Sequence, residues 1–273
     1  MKKLLVLLVT IVMMTFSGIG AAAELPDGEY VEVTGVGEPG QSYSAGTRAA
    51  ELVAYRKAAE EIHQFQLDSD STVEQGLTTN DVIRTKLSAI IRRAKIVDEH
   101  KGSDGYYYAT VRVPMYGAAS VASAVFVKNE TKITFAQPQS KVIEVSQATT
   151  KDTADKSIIV RNGGYTGVII DCRGLGLTKA MSPVIKAADG APIYGYKNLD
   201  YDMVIAKGMA SYSTNMEVNV ARAGNHPLIV KAIKAEGYGS PCNPVVSRID
   251  ADKILAENEV THFLNNCAVV FVR

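Results

Sequence analysis

The chain has 273 residues with 29 basic and 29 acidic side chains, so its formal net charge is zero. That balance argues against nucleic acid as a partner, because neutralising phosphate takes clustered Lys and Arg. Apolar residues make up 47% of the sequence, enough to build a core, whereas three cysteines are too few for a disulfide scaffold.

The first 23 residues read as a secretory signal peptide. Lys2 and Lys3 precede an apolar stretch from Leu4 to Phe16, and Ala21, Ala22 and Ala23 form a small-residue cut site. The apolar stretch is shorter than the ~20 residues a bilayer-spanning helix needs. Cleavage after Ala23 starts the mature chain at Glu24 with 27 basic against 29 acidic residues. No cysteine stands near the cut. This predicts a soluble periplasmic or secreted protein with no lipid-accepting cysteine and no integral membrane span after cleavage.

Residues 24–127 carry the pattern of a small sheet backed by helices. In "EYVEVTGVGEPG", Val31, Val33 and Val36 are interrupted by Gly35 and Gly37, which predicts a strand ending in a glycine bend. Ala45, Ala49, Leu52, Tyr55, Ala59 and Ile62 then recur at spacings of three and four, the mark of an amphipathic helix with Ser44 as its N-cap. "DSDST" (Asp68–Thr72) has the carboxylates of a calcium loop, but Val73 stands where that loop needs glycine and its closing Glu is missing, so it reads as a solvated turn. A second helix starts at Asn80 with Val82, Ile83, Leu87, Ile90 and Ile91 on one face. "AKIVDEHK" and "GYYYATVRVPM" flank "GSDG", a hairpin signature in which Gly102 and Gly105 can take positive φ. A last helix falls near Ala118 to Phe126.

The run "VEVTGVGEPG…AGTRAAELVAYRKAAEEI", followed by "AKIVDEH…GYYYATVRVPM", resembles the domain shared by a family of small bacterial surface lipoproteins and by the N-terminal part of flagellar assembly protein T, over residues 28 to 127. The resemblance implies a secreted, non-catalytic envelope module tied to flagellar or outer-membrane assembly. The chain departs from the lipoprotein members in having no lipid-accepting cysteine.

Residues 128–164 shift to Lys, Thr, Gln, Ser and Asp and read as a linker in which Lys141 to Val145 can pair as a strand. Residues 165–273 follow with strand candidates "YTGVIIDC", "APIYGY", "MVIAKGMASYS", "HPLIVKAIKAEG", "NPVVSRI" and "CAVVFVR". "DADKILAENE" is a helix with Asp250 as its N-cap, and "VTHFLNN" adds a short helical turn. So few helices among so many strands exclude a repeated βαβ pattern. The expected fold class is α+β, a small sheet-plus-helices domain followed by a mainly antiparallel β-rich domain.

"DCRGLGLTK" has the Gly-x-Gly of a dinucleotide loop, but Lys179 stands at the third glycine position and Pro183 follows, so Gly174 and Gly176 read as a bend at a strand end. "Thr166 to Gly195" also resembles part of uncharacterised secreted bacterial proteins that carry the same first domain, with no activity attached. No Ser-x-x-Lys, Gly-x-Ser-x-Gly or His-Glu-x-x-His is present, and no His or Cys has zinc-ligand spacing. The sequence therefore points to no catalytic residue, metal or cofactor. Asp171 with Arg173 is the one faint functional cluster. Asp200 and Asp202, two apart on an expected strand, read as solvated charge. Of Cys172, Cys242 and Cys267, at most two can be bridged.

These readings favour an exported envelope assembly or scaffold protein whose partners are other envelope proteins or further copies of itself. The alternative is an envelope enzyme acting on peptidoglycan or another glycan. The expected docking surface is Tyr106, Tyr107 and Tyr108 on an exposed edge strand, with alternation turning either Tyr107 or the other two into the core.

Overall fold

The computed structural model describes residues 30–128, 134–148, 158–216 and 220–273. The signal peptide expected over residues 1–23 lies outside them, as do parts of the expected linker.

A three-stranded antiparallel sheet comes first, with β1 (Tyr30–Gly37) and β2 (Lys95–Lys101) on either side of β3 (Tyr107–Pro114). Helix α1 (Tyr43–His63) lies on one face and buries Gly46, Ala50, Ala54, Ala58 and Ile62. Its N-cap is Ser42, two residues before the expected Ser44. The small residues let the helix come close. A Cβ added at Gly35 would collide with the backbone of Ala50 and Ala54, and one at Gly37 with the carbonyl of Gly46. Those glycines therefore serve helix-on-strand approach, and β1 runs straight through them rather than bending.

After α1 comes α2 (Val73–Thr79), opened by a capping box in which Thr72 and Gln75 satisfy each other's backbone N–H. Next, α3 (Asp81–Arg92) starts at Asn80, whose side chain accepts from Val82 and Ile83. A short α4 (Val121–Val125) closes the first part. The turn at Asp68 is not merely solvated: its carboxylate accepts from the amides of Asp70 and Ser71 and from the Ser71 hydroxyl.

Within the expected linker, β4 (Lys141–Glu144) pairs in parallel with β5 (Ile158–Arg161) as a separate two-stranded unit. The remainder forms a seven-stranded sheet from β6 (Gly167–Asp171), β7 (Ile185–Ala187), β8 (Pro192–Tyr194), β9 (Ser211–Ser213), β10 (Pro227–Glu236), β11 (Asn243–Val246) and β12 (Val269–Val272), in the order β8-β7-β11-β10-β6-β12-β9. Its helices are α5 (Tyr201–Lys207), α6 (Val220–Ala223) and α7 (Arg248–Thr261).

The α+β class is as expected, but the strand directions are not. β6 is parallel to β10 and β12, β12 is parallel to β9, and β7 is parallel to β11; only β10 with β11 and β7 with β8 are antiparallel. The sequence hid this because its crossovers are largely loops and very short helices. One of them, α5, occupies part of the stretch expected as the strand "MVIAKGMASYS", capped by Asp200 and ended by Gly208 at positive φ. Helix α7 is capped by Ser247 rather than Asp250.

The two sheets share one apolar core, which runs from Val31 and Ile62 to Ile170 and Phe271. Backbone bonds cross between them where Met181 and Ser182 donate to the carbonyls of Gln66 and Leu67, and where Gly239 and Ser240 donate to that of Ser69. Gly174 and Gly176 have φ of +77° and +67° and turn the chain after β6, and no helix begins there to receive a pyrophosphate.

Candidate functional site

β3 is the middle strand of its sheet, so Tyr106, Tyr107 and Tyr108 do not stand on an exposed edge. The expectation failed because alternation tells which face a residue takes and says nothing about a strand's place in the order. Tyr107 is buried, donates its hydroxyl to the Gln41 carbonyl at 2.5 Å and meets Tyr43 edge-on. Tyr108 stacks on His100 at 5.1 Å and donates to Asp104 Oδ2 at 2.6 Å. Tyr106 is half-buried at the hairpin end, where its amide is held by Asp104.

The edges belong to β1 and β2, and they differ. β2 is interrupted by a bulge between Ile96 and Asp98 and exposes Lys95, Asp98, Glu99, His100 and Lys101, the usual devices that keep an edge from pairing. β1 keeps an unbroken eight-residue register with β3. Its exposed face carries Tyr30, Glu32, Thr34 and Val36, knitted to β3 by a Thr34–Thr110 hydroxyl bond of 2.8 Å and by Arg112, which pairs with Glu32 and lies over the Tyr30 ring. Along the free side, Lys57 Nζ of α1 donates to the Thr34 carbonyl at 3.4 Å. Among the described residues Lys57 has no carboxylate partner, and no other backbone group of β1 is bonded outside its ladder with β3.

Asp171 and Arg173 do come together, as a local ion pair at the C-terminal end of β6. The guanidinium donates to both carboxylate oxygens at 2.8 and 2.7 Å, and the Arg173 amide adds a third bond at 3.1 Å. Arg173 thereby holds the Asp171 carboxyl down at about 2. A group that acidic stays ionised and is unsuited to giving a proton. The other acids do not join it: Asp200 accepts from the Met203 amide as the cap of α5, and Asp202 sits in that helix's first turn rather than on a strand. Among the described residues no group of three or more His, Cys, Asp or Glu is placed to hold a metal ion. Cys172, Cys242 and Cys267 are all free and buried, so the permitted bridge is not formed. Burial pushes the Cys172 and Cys242 thiols up to about 12.

Two buried acids on α7 went unread in the sequence. Asp252 accepts from the amides of Gln139 and Ser140 at 3.0 and 2.9 Å and from the Ser140 hydroxyl at 2.6 Å, with Arg248 completing the set at 2.7 Å. Glu257 repeats the device five residues on, taking the amides of Asn162 and Gly163 at 2.7 and 2.8 Å and a bond from Lys253 at 2.6 Å. Each carboxylate thus clips two successive amides, one pair just before β4 and one pair just after β5. Burial works to raise the Asp252 carboxyl, but Ser140, the two amides and Arg248 outweigh it and hold the group below the ordinary carboxylate range.

Comparison with known families divides the chain the same way. Residues 16–114 match the LPP20 lipoprotein family. That stretch contains β1, α1 and the hairpin, and the match supports a surface or envelope lipoprotein; it does not extend the resemblance to flagellar assembly protein T. Residues 167–273, which hold the seven-stranded sheet, match the second domain of Treponema pallidum Tp0624. No curated protein matches the chain.

The lipoprotein match overturns the localisation expected from the sequence. A soluble periplasmic or secreted protein without a lipid-accepting cysteine was inferred from the residues beside one cut site, whereas the match spans the whole first sheet and is to a family of lipoproteins. Among the described residues no helix is long and apolar enough to cross a membrane.

Proposed function

We propose that this envelope protein works by docking other envelope proteins, with the free side of β1 as the strand that receives them. One observation carries the reading: among the described residues, the eight of β1 keep an unbroken register on one side and have no neighbouring strand on the other, while the opposite edge is bulged and charged. An open edge offers main-chain donors and acceptors to an extended segment, and alternating side chains then set the fit. Tyr30 and Val36 add exposed apolar area beside it. The resemblance to a flagellar assembly module makes flagellar and outer-membrane assembly proteins the first partners to try, with further copies of the chain beside them.

The alternative, an enzyme on peptidoglycan or another glycan, needs a carboxyl able to protonate a leaving group. Asp171 is held too acidic for that role.

A photoreactive residue in place of Glu32 in living cells tests the proposal, with the same residue at His100 on β2 as control. Cross-linked envelope proteins from position 32 and none from position 100 are expected. Equal yields from both positions, or none from either, end the proposal.

A further inference from the structure

Among the described residues the β1 edge is open except at one atom, the Thr34 carbonyl, which the ammonium of Lys57 already holds. An incoming strand directs an N–H at that acceptor and so competes with the lysine for it. Once displaced, Lys57 has lost its bonded acceptor, and its exposed ammonium forms no ion pair among the described residues. It stands on α1, which covers the face carrying Val31, Val33, Gly35 and Gly37, opposite the face that exposes Thr34. The charge therefore waits on the helix side of the edge.

We infer that Lys57 guards the β1 edge and selects its occupant, an extended segment of another protein that bears an acidic side chain on the side facing α1, next to the residue opposite Thr34. The inference rests on the docking reading above and adds the chemistry of the partner. Lysine on an edge commonly discourages indiscriminate pairing. Here its geometry makes the discouragement conditional: a neutral strand returns the exposed ammonium to water and a basic one repels it, whereas an acidic one gives it a new partner and frees the carbonyl. A second copy of β1 fits this chemistry poorly, since its α1-facing side chains are Val31, Val33 and two glycines.

The test uses the whole chain and two labelled synthetic peptides of alternating Thr and Val, identical except that one Val position carries Glu in the first and Lys in the second. The Glu peptide should bind about three- to fivefold tighter, the range of an exposed ion pair. Lys57→Met should erase that preference, and Arg56→Met, on the neighbouring exposed position, should keep it. Equal binding of the two peptides by the unaltered chain, or a preference that survives Lys57→Met, overturns the role of Lys57 and leaves strand docking standing. Failure of both peptides to bind also overturns the inference, and the cross-link from position 32 then decides separately whether docking survives.

Discussion

The small sheet is buried on one face only, and β3 shows it in a strict alternation of buried and half-buried residues. In the seven-stranded sheet, β12 is buried at every position and β6 at all but its last. A strand covered on both faces reads as an apolar run, and one covered on a single face reads as an alternation. The difference extends to the edges, since the large sheet ends in three-residue strands, β8 and β9, while the small sheet ends in an eight-residue one. Stability is thus concentrated in one sheet and available surface in the other.

The largest effect that would sharpen this contrast lies in the large sheet. Phe271→Ala should lower the unfolding free energy by about 3–5 kcal/mol in denaturant titration, because the ring is fully buried in the shared core. A loss below ~1 kcal/mol would break the comparison. The small sheet's most demanding contact is the approach of α1 to β1. Gly35→Ala should cost about 3 kcal/mol, since the new methyl meets backbone that cannot turn aside.

Asp252→Asn should cost about 2 kcal/mol by removing a charged acceptor shared by two amides and a hydroxyl. Its pH dependence has a definite sign. The folded carboxyl is held below its unfolded value, so its contribution is present above the ordinary carboxylate range and is lost as pH falls through the lower, folded value. Amide exchange should show Gln139 and Ser140 protected down through that ordinary range and opening only beneath it. Opening near pH 5 would contradict the clip. The smallest change belongs to the open face: Arg112→Ala should alter stability by less than ~1 kcal/mol, because its pairing with Glu32 is solvent-exposed.

Much of the first sheet was legible because its signals are local. Asn80, the 3.6-residue repeat of α3 and the "GSDG" turn each declare themselves within a few residues. Thr72-Val-Glu-Gln75 was just as local a capping box, and Asp200 with Gly208 bracketed α5 as cap and stop; both helices were missed because their apolar content is low or reads as a strand. Strand order and direction were not legible, since nothing in "YYYATVRV" says that two neighbours flank it. The acids of α7 were the least visible. Nothing local marks Asp252 and Glu257, because the backbone they bind lies 113 and 95 residues away in sequence.

Those paired clips also set how the protein takes tension. A pull that parts the two sheets works against the backbone bonds at Gln66, Leu67 and Ser69 and against that from Gly117 to Ile205. Just ahead of β4 the amides of Gln139 and Ser140 hang side by side on one carboxylate, so a load that reaches them is shared. Beyond β5 the Glu257 clip stands between the same load and β6. Between the two clips α7 serves as an anchor post, and the little parallel pair is held at both of its ends.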